Sequence, residues 1–338
     1  MPESIQSNPT LAPHEISVVV PVYKGESTLA ELLLDILPLT TVRRSPAGMN
    51  WRVTEVLLVF DNGPDGSVET IRALQNKYSF VRSVWLSRNF GQHSATLAGM
   101  ASSGSEWIVT LDEDGQHDPA DIAILLDAAL SAGAPLVYAR PTNEPPHGVV
   151  RNMASRAAKS VASSLSGNAA MTDYQSFRLV LGEVGRSIAA YAGAQVYLDV
   201  ALGWVASNYT TAPVELRQDT GRKSGYSLPT LLSHFWRLIL SSGTRGLRLV
   251  SGLGVVFALA GVLLATIFVI QRLTSGDLPT GWTSQITVIL IASGAILFSL
   301  GVIAEYIGVV VNMALGKPPY LIVNDPENGP LGRRTFPL

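Results

Sequence analysis

The chain has 338 residues, a formal net charge of −2 and no cysteine, which excludes disulfides, thiolate metal sites and cysteine nucleophiles. The near-neutral charge argues against non-specific nucleic-acid binding, for which a basic surface is expected. The length suits one sizeable globular domain and a smaller part. Residues 1–15 lack the cationic and apolar pattern of a signal peptide, and they predict a flexible leader.

Short apolar runs alternate with helix-periodic segments and polar turns through residues 16–227. This alternation predicts an α/β domain with a mostly parallel sheet covered by helices on both faces. Asp118 as N-cap and Pro119 at the first helical position mark the start of one predicted helix. The predicted strands are residues 16–20, 53–60, 81–86, 107–111 and 136–139. The predicted helices are residues 27–37, 67–78, 92–102 and 119–130.

Each of the first four predicted strands ends in a polar cluster. Taken singly, the clusters are ordinary turns or helix caps. Because the carboxyl ends of parallel strands share one edge of a sheet, the four clusters together predict a single ligand-binding site. The clusters are residues 21–26, 59–67, 87–93 and 111–117.

Two carboxylates stand in the fourth cluster, where Asp112 and Asp114 follow a buried apolar run. Hard oxygen ligands at the end of a strand suit Mg²⁺ or Mn²⁺. A metal ion held there can bridge the two phosphates of a nucleotide and stabilise them as a leaving group. An Asp-x-Asp pair alone is common, and the three neighbouring clusters strengthen the metal-site interpretation.

Two long apolar runs follow, residues 249–270 and residues 286–315, and the second contains one acid, Glu305. Each run is long enough to cross a bilayer as a helix. The pair therefore predicts two transmembrane helices within residues 249–315. A pair of buried core helices is the alternative interpretation.

Basic residues flank the predicted transmembrane helices on their outer sides. By the positive-inside rule they place both ends of the pair, and with them the large N-terminal domain, in the cytoplasm. Residues 228–248 are predicted to be juxtamembrane, as an interfacial helix or a simple surface helix, and residues 316–338 a cytoplasmic tail. The flanking cations are Arg237, Arg245, Arg248, Lys317, Arg333 and Arg334.

The motifs resemble those of glycosyltransferase family 2, in particular the polyisoprenyl-phosphate glycosyltransferases of the dolichyl-phosphate mannose synthase and bacterial undecaprenyl-phosphate sugar transferase types. The resemblance covers nearly the whole chain, in order, and implies a GT-A fold for residues 16–227. It is carried by residues 21–26, 61–67, 88–92, 112–117, 281–284, 301–308 and 317–320.

The resemblance implies a membrane enzyme that moves one sugar from a nucleotide sugar to polyprenyl (undecaprenyl) phosphate at the cytoplasmic face of the inner (plasma) membrane. UDP-hexose is the expected donor and GDP-mannose the alternative, with Mg²⁺ or Mn²⁺ as cofactor. The product would be a lipid-linked sugar for cell-envelope glycosylation. The lipid phosphate is already ionised, so it needs little general-base help and attacks the anomeric carbon in one inverting displacement.

Two other functions stay open. A processive polysaccharide synthase of the same superfamily usually carries a Gln-x-x-Arg-Trp motif and more spans, which this sequence lacks. An inactive nucleotide-sugar-binding membrane scaffold is the second. No nucleic-acid partner is expected, and small residues such as Gly294 and Gly301 leave a homo-oligomer open.

The resemblance also implies roles for individual residues, with a solvated basic helix face as the alternative for the acceptor group. The implied metal ligands are Asp112, Asp114 and Gln116, and the implied catalytic residues are Asp114, Asp173 and Arg178. The acceptor phosphate is expected at Arg140, Arg151 and Ser155. The nucleotide is expected at Pro21, Tyr23, Glu26, Asp61, Arg88, Gln92, Asp112, Arg217, Arg222 and Ser224.

The chain departs from the family pattern at three positions. Ser176 stands where many relatives have Asp, so either Asp173 supplies that carboxylate or the reaction proceeds without it. Phe60 stands where an acid or Asn is usual, which leaves the choice of base open. Arg222 replaces a common Gly and predicts a stiffer loop over the donor diphosphate.

Overall fold

The computed structural model describes residues 12–143, 173–193, 197–206, 208–217, 245–275 and 281–327. The chain divides into two compact units. The first consists of Met1–Ala157, Ala170–Gly225 and Pro318–Leu338, and the second of Ala158–Ala169 and Tyr226–Lys317. The second unit is thus formed from two separate stretches of the chain, and after Lys317 the chain returns to the first unit.

One sheet organises the first unit, and nine strands are seen in its described residues. The strand order is β8-β6-β7-β5-β1-β3-β4-β9, with β2 paired to β3 off this path. Neighbours among β5, β1, β3 and β4 are parallel, whereas β7 runs antiparallel between β6 and β5. The predicted α/β architecture is confirmed. The strands are β1 His14–Val22, β2 Arg43–Arg44, β3 Asn50–Phe60, β4 Val81–Leu86, β5 Trp107–Thr110, β6 Leu136–Pro141, β7 Arg178–Leu181, β8 Thr210–Val214 and β9 Ile322–Val323.

The core lies on both faces of the central strands. Val18 of β1 stands opposite Val56 of β3 and Val109 of β5, and all three side chains are fully buried. A strand covered on both faces reads as a continuous apolar run instead of an alternating pattern, which is why these strands could be predicted.

Six helices of the first unit are described. The predicted cap is confirmed, because the Asp118 carboxylate accepts the Ala120 N–H at 2.9 Å. The residues after Pro119 nevertheless form a single 3-10 turn, Pro119–Asp121, and the α-helix begins only at Ile122. The helices are α1 Leu29–Ile36, α2 Ser67–Lys77, α3 Gln92–Ser102, α4 Ile122–Ala132, α5 Gly182–Tyr191 and α6 Leu198–Val205.

The second unit contains two long helices in its described part, α7 Arg245–Ser275 and α8 Trp282–Ala314. Among the described residues, one segment, Ile291–Ala314, is long and apolar enough to cross a membrane, with a mean hydropathy of 2.1. In α7 the apolar segment is shorter, Val250–Leu264. The transmembrane pair thus stays a prediction. Of the juxtamembrane segment predicted at residues 228–248, the structure describes only residues 245–248, which begin α7.

Candidate functional site

Four loops follow the carboxyl ends of β1, β3, β4 and β5, and side chains of each loop bond to another. The Glu113 carboxylate, beyond β5, accepts the backbone N–H groups of Tyr23 at 3.0 Å and Lys24 at 2.9 Å, beyond β1. The Gln92 amide, at the start of α3, donates to Asp112 Oδ1 at 2.6 Å. The four predicted clusters therefore form one connected edge.

Glu113 was missed by sequence reasoning, although it stands between the two predicted metal ligands. Burial raises the pKa of Glu113, and the two N–H donors oppose that shift in part. The nearby Asp65 and Asp112 carboxylates raise this pKa further. Only its position between two aspartates could have pointed to Glu113, since its partners lie about 90 residues away in the sequence.

The first two loops contact each other at the backbone. The Glu26 carboxylate accepts the Gly66 N–H at 3.0 Å, and the Glu26 N–H donates to Asp65 Oδ2 at 3.1 Å. A Cβ on Gly63 would lie 1.6 Å from the Tyr23 carbonyl oxygen, so only glycine fits there. Glu26, a predicted nucleotide contact, therefore holds the second loop in the structure. The Tyr23 side chain, by contrast, is exposed at the edge.

Asp61 directly follows β3, and its buried carboxylate organises the third loop. Its two oxygens accept the N–H groups of Phe90 at 2.7 Å and Gly91 at 2.8 Å. Burial raises the pKa of Asp61, and these two N–H groups and Arg88 oppose the shift. The Arg88 guanidinium lies 4.1 Å over the Phe90 ring. Asp61 therefore fixes the loop that presents Arg88. Asp61 and Arg88 are both predicted nucleotide-binding residues.

Both oxygens of Asp112 are held by neighbouring side chains. Besides Gln92, the Ser176 hydroxyl donates to Asp112 Oδ2 at 2.6 Å. The Asp173 carboxylate accepts the Tyr209 hydroxyl at 3.2 Å. The residue that departs from the family pattern, Ser176, thus lies against a predicted metal ligand.

Asp114 and Gln116 lie on either side of a tight turn. Asp114 Oδ1 accepts the Gln116 N–H at 3.1 Å, and Gly115 between them has a φ of +73°. Within the described part of the chain, no three His, Cys, Asp or Glu side chains are grouped as a ready-made metal site. Asp112, Asp114 and Gln116 do supply the oxygen ligands that Mg²⁺ and Mn²⁺ favour, and Mg²⁺ is usually bound by one or two carboxylates plus substrate phosphates.

His117 is a buried neighbour of this turn. Its Nδ1 is buried without a hydrogen-bond partner among the described residues. Burial lowers the pKa of His117, and the Asp112 carboxylate opposes the shift. His117 packs against the ring of Phe177, 5.0 Å between centroids, so it borders the site from the core side.

Arg217, predicted over the donor diphosphate, is engaged by two carboxylates in the structure. Its guanidinium pairs with Asp35 of α1 at 2.5 Å and with Asp118 at 3.1 Å. The backbone N–H of Arg217 donates to the Gln116 carbonyl at 2.9 Å. Arg217 and Asp114 also line a cavity of about 200 Å³ next to α1. Arg217 therefore fastens the residues after β8 to the loop that carries the predicted metal ligands.

Arg178, predicted as catalytic, forms a buried ion pair with Asp199 of α6. Burial by itself would lower the pKa of Arg178, but the Asp199 carboxylate, together with smaller contributions from Tyr138, Tyr197 and Asp112, raises this pKa overall. The Tyr138 hydroxyl donates to the same carboxylate oxygen at 3.0 Å. A catalytic role for this guanidinium stays a prediction.

The predicted acceptor residues are described only in part. Arg140 lies in β6 and is exposed. The remaining predicted residues of this group and of the diphosphate loop lie outside the described residues; they are Arg151, Ser155, Arg222 and Ser224. Pro21 is the eighth residue of β1 and is buried, beside the exposed Tyr23.

Comparison with known proteins gives one family and several relatives. Residues 17–185 match the family described as glycosyl transferase family 2. The undecaprenyl-phosphate 4-deoxy-4-formamido-L-arabinose transferase of Salmonella typhimurium (strain LT2) is 29% identical over 325 residues, which cover 94% of this chain and 95% of that protein. The protein of the same name from Edwardsiella ictaluri is 30% identical over 313 residues, covering 91% and 93%.

A solved structure also aligns with the chain. It is glucosyl-3-phosphoglycerate synthase from Mycobacterium tuberculosis in complex with Mn²⁺, uridine diphosphate and phosphoglyceric acid. The TM-score is 0.46 and the identity 17%, over 69% of this chain and 78% of that one.

Proposed function

Since the chain belongs to glycosyl transferase family 2 and is a glycosyltransferase with the GT-A fold, we propose that it transfers one sugar from a nucleotide sugar to a polyprenyl phosphate. The acceptor is inferred from the two relatives, whose names specify undecaprenyl phosphate and which align over more than nine-tenths of this chain. We propose undecaprenyl phosphate here as well.

The donor proposed is a UDP-linked hexose, with GDP-mannose as the alternative. The relatives' names specify 4-deoxy-4-formamido-L-arabinose, so this sugar belongs in any donor test. This chain is only about 30% identical to these relatives, so the few side chains that determine sugar specificity can differ from theirs.

The observation that carries the proposal is the placement of Asp112 at the connected edge. Gln92 and Ser176 hold its two oxygens, and the adjacent Glu113 holds the Tyr23 loop. One hydrogen-bonded group of residues therefore joins the predicted nucleotide loops to the predicted metal ligands. Asp112, Asp114 and Gln116 would hold Mg²⁺ or Mn²⁺, which when bound supplies positive charge beside the leaving diphosphate.

The chain's own residues account for the remaining steps. The exposed Tyr23 and the loop carrying Arg88 bind and orient the nucleotide. Arg140, with Arg151 and Ser155, positions the acceptor phosphate. An oxygen of that phosphate forms the new bond to the anomeric carbon while the bond to the nucleoside diphosphate breaks and its electron pair leaves with the diphosphate. The configuration inverts, and an ionised phosphate needs little help from a general base.

We propose that α7 and α8 cross the inner membrane and that the first unit is cytoplasmic. The chain leaves the first unit before α7 and returns to it at β9. A segment that begins and ends in one globular unit crosses a bilayer an even number of times. The apolar Ile291–Ala314 and the outer cations Arg245, Arg248 and Lys317 support this topology.

The test is transfer of radiolabel from a panel of nucleotide sugars to undecaprenyl phosphate by the purified full chain in detergent. The panel contains UDP-hexoses, GDP-mannose and nucleotide-linked 4-deoxy-4-formamido-L-arabinose, each with Mg²⁺ or Mn²⁺. We expect label in the lipid phase from one donor, and its loss with chelator. Asp114→Ala is expected to lower the rate at least about 100-fold, equivalent to about 2.7 kcal/mol.

The matched control is Glu69→Gln, which removes an exposed acid of α2 and should leave the rate unchanged. Transfer that survives both chelator and Asp114→Ala contradicts the metal role. If nucleotide binds but no donor yields a labelled lipid, the inactive scaffold becomes the better description.

A further inference from the structure

The segment after α8 returns to the sheet beside the predicted nucleotide loops. In β9, Ile322 pairs antiparallel with Leu86, the last residue of β4. The Ser87 N–H then donates to the Leu321 carbonyl at 3.0 Å. The Asn62 side chain, two residues after β3, donates to the Leu86 carbonyl at 2.6 Å. Residues 320–325, here called the strap, therefore hold the end of β4.

One ion pair fastens the strap to the helix that follows β3. The guanidinium of Arg72 in α2 donates two hydrogen bonds to the Asp325 carboxylate in a bidentate, fork-like pair. They run from Nε to Oδ2 at 2.9 Å and from Nη2 to Oδ1 at 2.5 Å. The two side chains are only 19% and 13% exposed. The hydrogen bond to Asp325 raises the pKa of Arg72, and that to Arg72 lowers the pKa of Asp325. Both groups thus stay charged around neutral pH.

The same guanidinium contacts an aromatic pair under the nucleotide loops. It lies 5.4 Å over the ring of Trp85 in β4. Trp85 meets Phe60 of β3 edge to face, with ring centroids 5.5 Å apart. Phe60 directly precedes Asp61, the carboxylate that fixes the loop presenting Arg88. The contacts therefore run without a break from Asp325 to Asp61.

We propose that the strap positions the nucleotide-binding edge, and that Asp325 and Arg72 set the affinity for the donor's nucleotide without touching it. This inference rests on the proposed function, since it takes Asp61 and Arg88 as nucleotide residues. The strap also covers the open edge of β4, but covering an edge needs only backbone pairing. The forked ion pair stacked on Trp85 is a side-chain feature that edge covering does not require.

The experiment measures binding of UDP and of GDP, each with Mg²⁺, to the purified full chain in detergent by titration calorimetry. Asp325→Asn is expected to weaken binding of the nucleotide that the wild type prefers by about three- to tenfold. In transfer assays the KM for the donor should rise by the same factor. The kcat and the KM for undecaprenyl phosphate should stay within about twofold of the wild-type values. Asp325→Glu, which restores the carboxylate, should recover most of the affinity.

The matched control is Glu327→Gln. Glu327 contacts the same guanidinium at 2.6 Å but is 70% exposed, so its removal should change the affinity less than twofold. If Asp325→Asn does not fold, Arg72→Lys carries the same test, because it keeps the charge and loses the fork.

Three outcomes overturn the inference. The first is Asp325→Asn that binds nucleotide as the wild type does and only melts at a lower temperature, because the strap is then purely structural. The second is a variant in which the KM for the donor and the KM for undecaprenyl phosphate rise equally. The third is a wild type that binds neither UDP nor GDP, which also removes the proposed function; the first two leave the proposed function standing.

Discussion

The buried pair of Arg178 and Asp199 allows a prediction of stability to be worked from the structure. Asp199→Asn keeps the side-chain shape and an acceptor for Tyr138, but it removes the charge opposite the guanidinium. The two side chains are 5% and 4% exposed, so little water can replace the carboxylate. Removing one partner of such a pair costs about 3–5 kcal/mol. In a domain of this size, each 1 kcal/mol lowers the Tm by roughly 2–4 °C, so we expect a fall of roughly 10 °C.

The assay is thermal unfolding of the full chain in detergent, followed by tryptophan fluorescence. The matched control is Glu15→Gln, which breaks an ion pair with Arg52 whose side chains are 45% and 41% exposed and should cost about 0–1 kcal/mol. Replacing both buried partners, Arg178→Met with Asp199→Leu, should recover part of the lost stability. The apolar pair leaves no charge uncompensated, although the Tyr138 hydroxyl loses its acceptor.

A fall in Tm no larger than that of Glu15→Gln would refute the reasoning, as would a double variant no more stable than Asp199→Asn. The double variant also tests the predicted catalytic role of Arg178. We expect it to retain sugar transfer, because the ion pair is built into the core. A guanidinium that acts on the substrate would instead make the well-folded double variant inactive.

Two further predictions concern pH and backbone contact. The pKa of Asp121 is raised from 3.8 to about 6, mainly by burial and then by the Asp118 carboxylate. The folded chain therefore binds the Asp121 proton more tightly than the unfolded chain does, and the free energy of unfolding falls as the pH rises from about 4 to about 6. Asp121→Asn should therefore add about 1 kcal/mol at pH 7, after allowance for solvent screening, and flatten the pH profile in urea titrations; an unchanged profile contradicts this. Gly63→Ala would place a Cβ 1.6 Å from the Tyr23 carbonyl and should cost about 2 kcal/mol or more, whereas Gly104→Ala, with its nearest neighbour at 3.6 Å, should be nearly neutral; equal melting curves contradict the clash.

Regular elements with a clear apolar pattern were predictable from the sequence. The observed bounds of β4 and α3 coincide with the predicted 81–86 and 92–102. The short strands β7, β8 and β9 were not predicted. β8 contains Pro213, which argues against a strand, and β9 has two residues and gains its identity only by pairing with β4.

The residues of the candidate site likewise fall into those that could be predicted from the sequence and those that could not. Asp112 and Asp114 could be recognised because their chemistry and spacing are local in the sequence. Partners far apart could not, as with Arg217, which pairs with Asp35 across 182 positions. Ser176 shows both sides: its departure from the family pattern was visible, but its bond to Asp112 appears only when β7 is placed beside β5.

The position of β9 has a consequence for biosynthesis. Chains are made from the N-terminus, and domains generally fold in that order. The strands from β1 to β8 leave the ribosome before α7 and α8, whereas β9 leaves after them. The edge of β4 therefore stays uncovered until both long apolar helices have been made, and an unpaired strand edge invites association with other chains. A nascent chain arrested at the end of α8 would thus expose the edge of β4. At that stage the two long apolar helices have also been made, so both surfaces are exposed in the same chain.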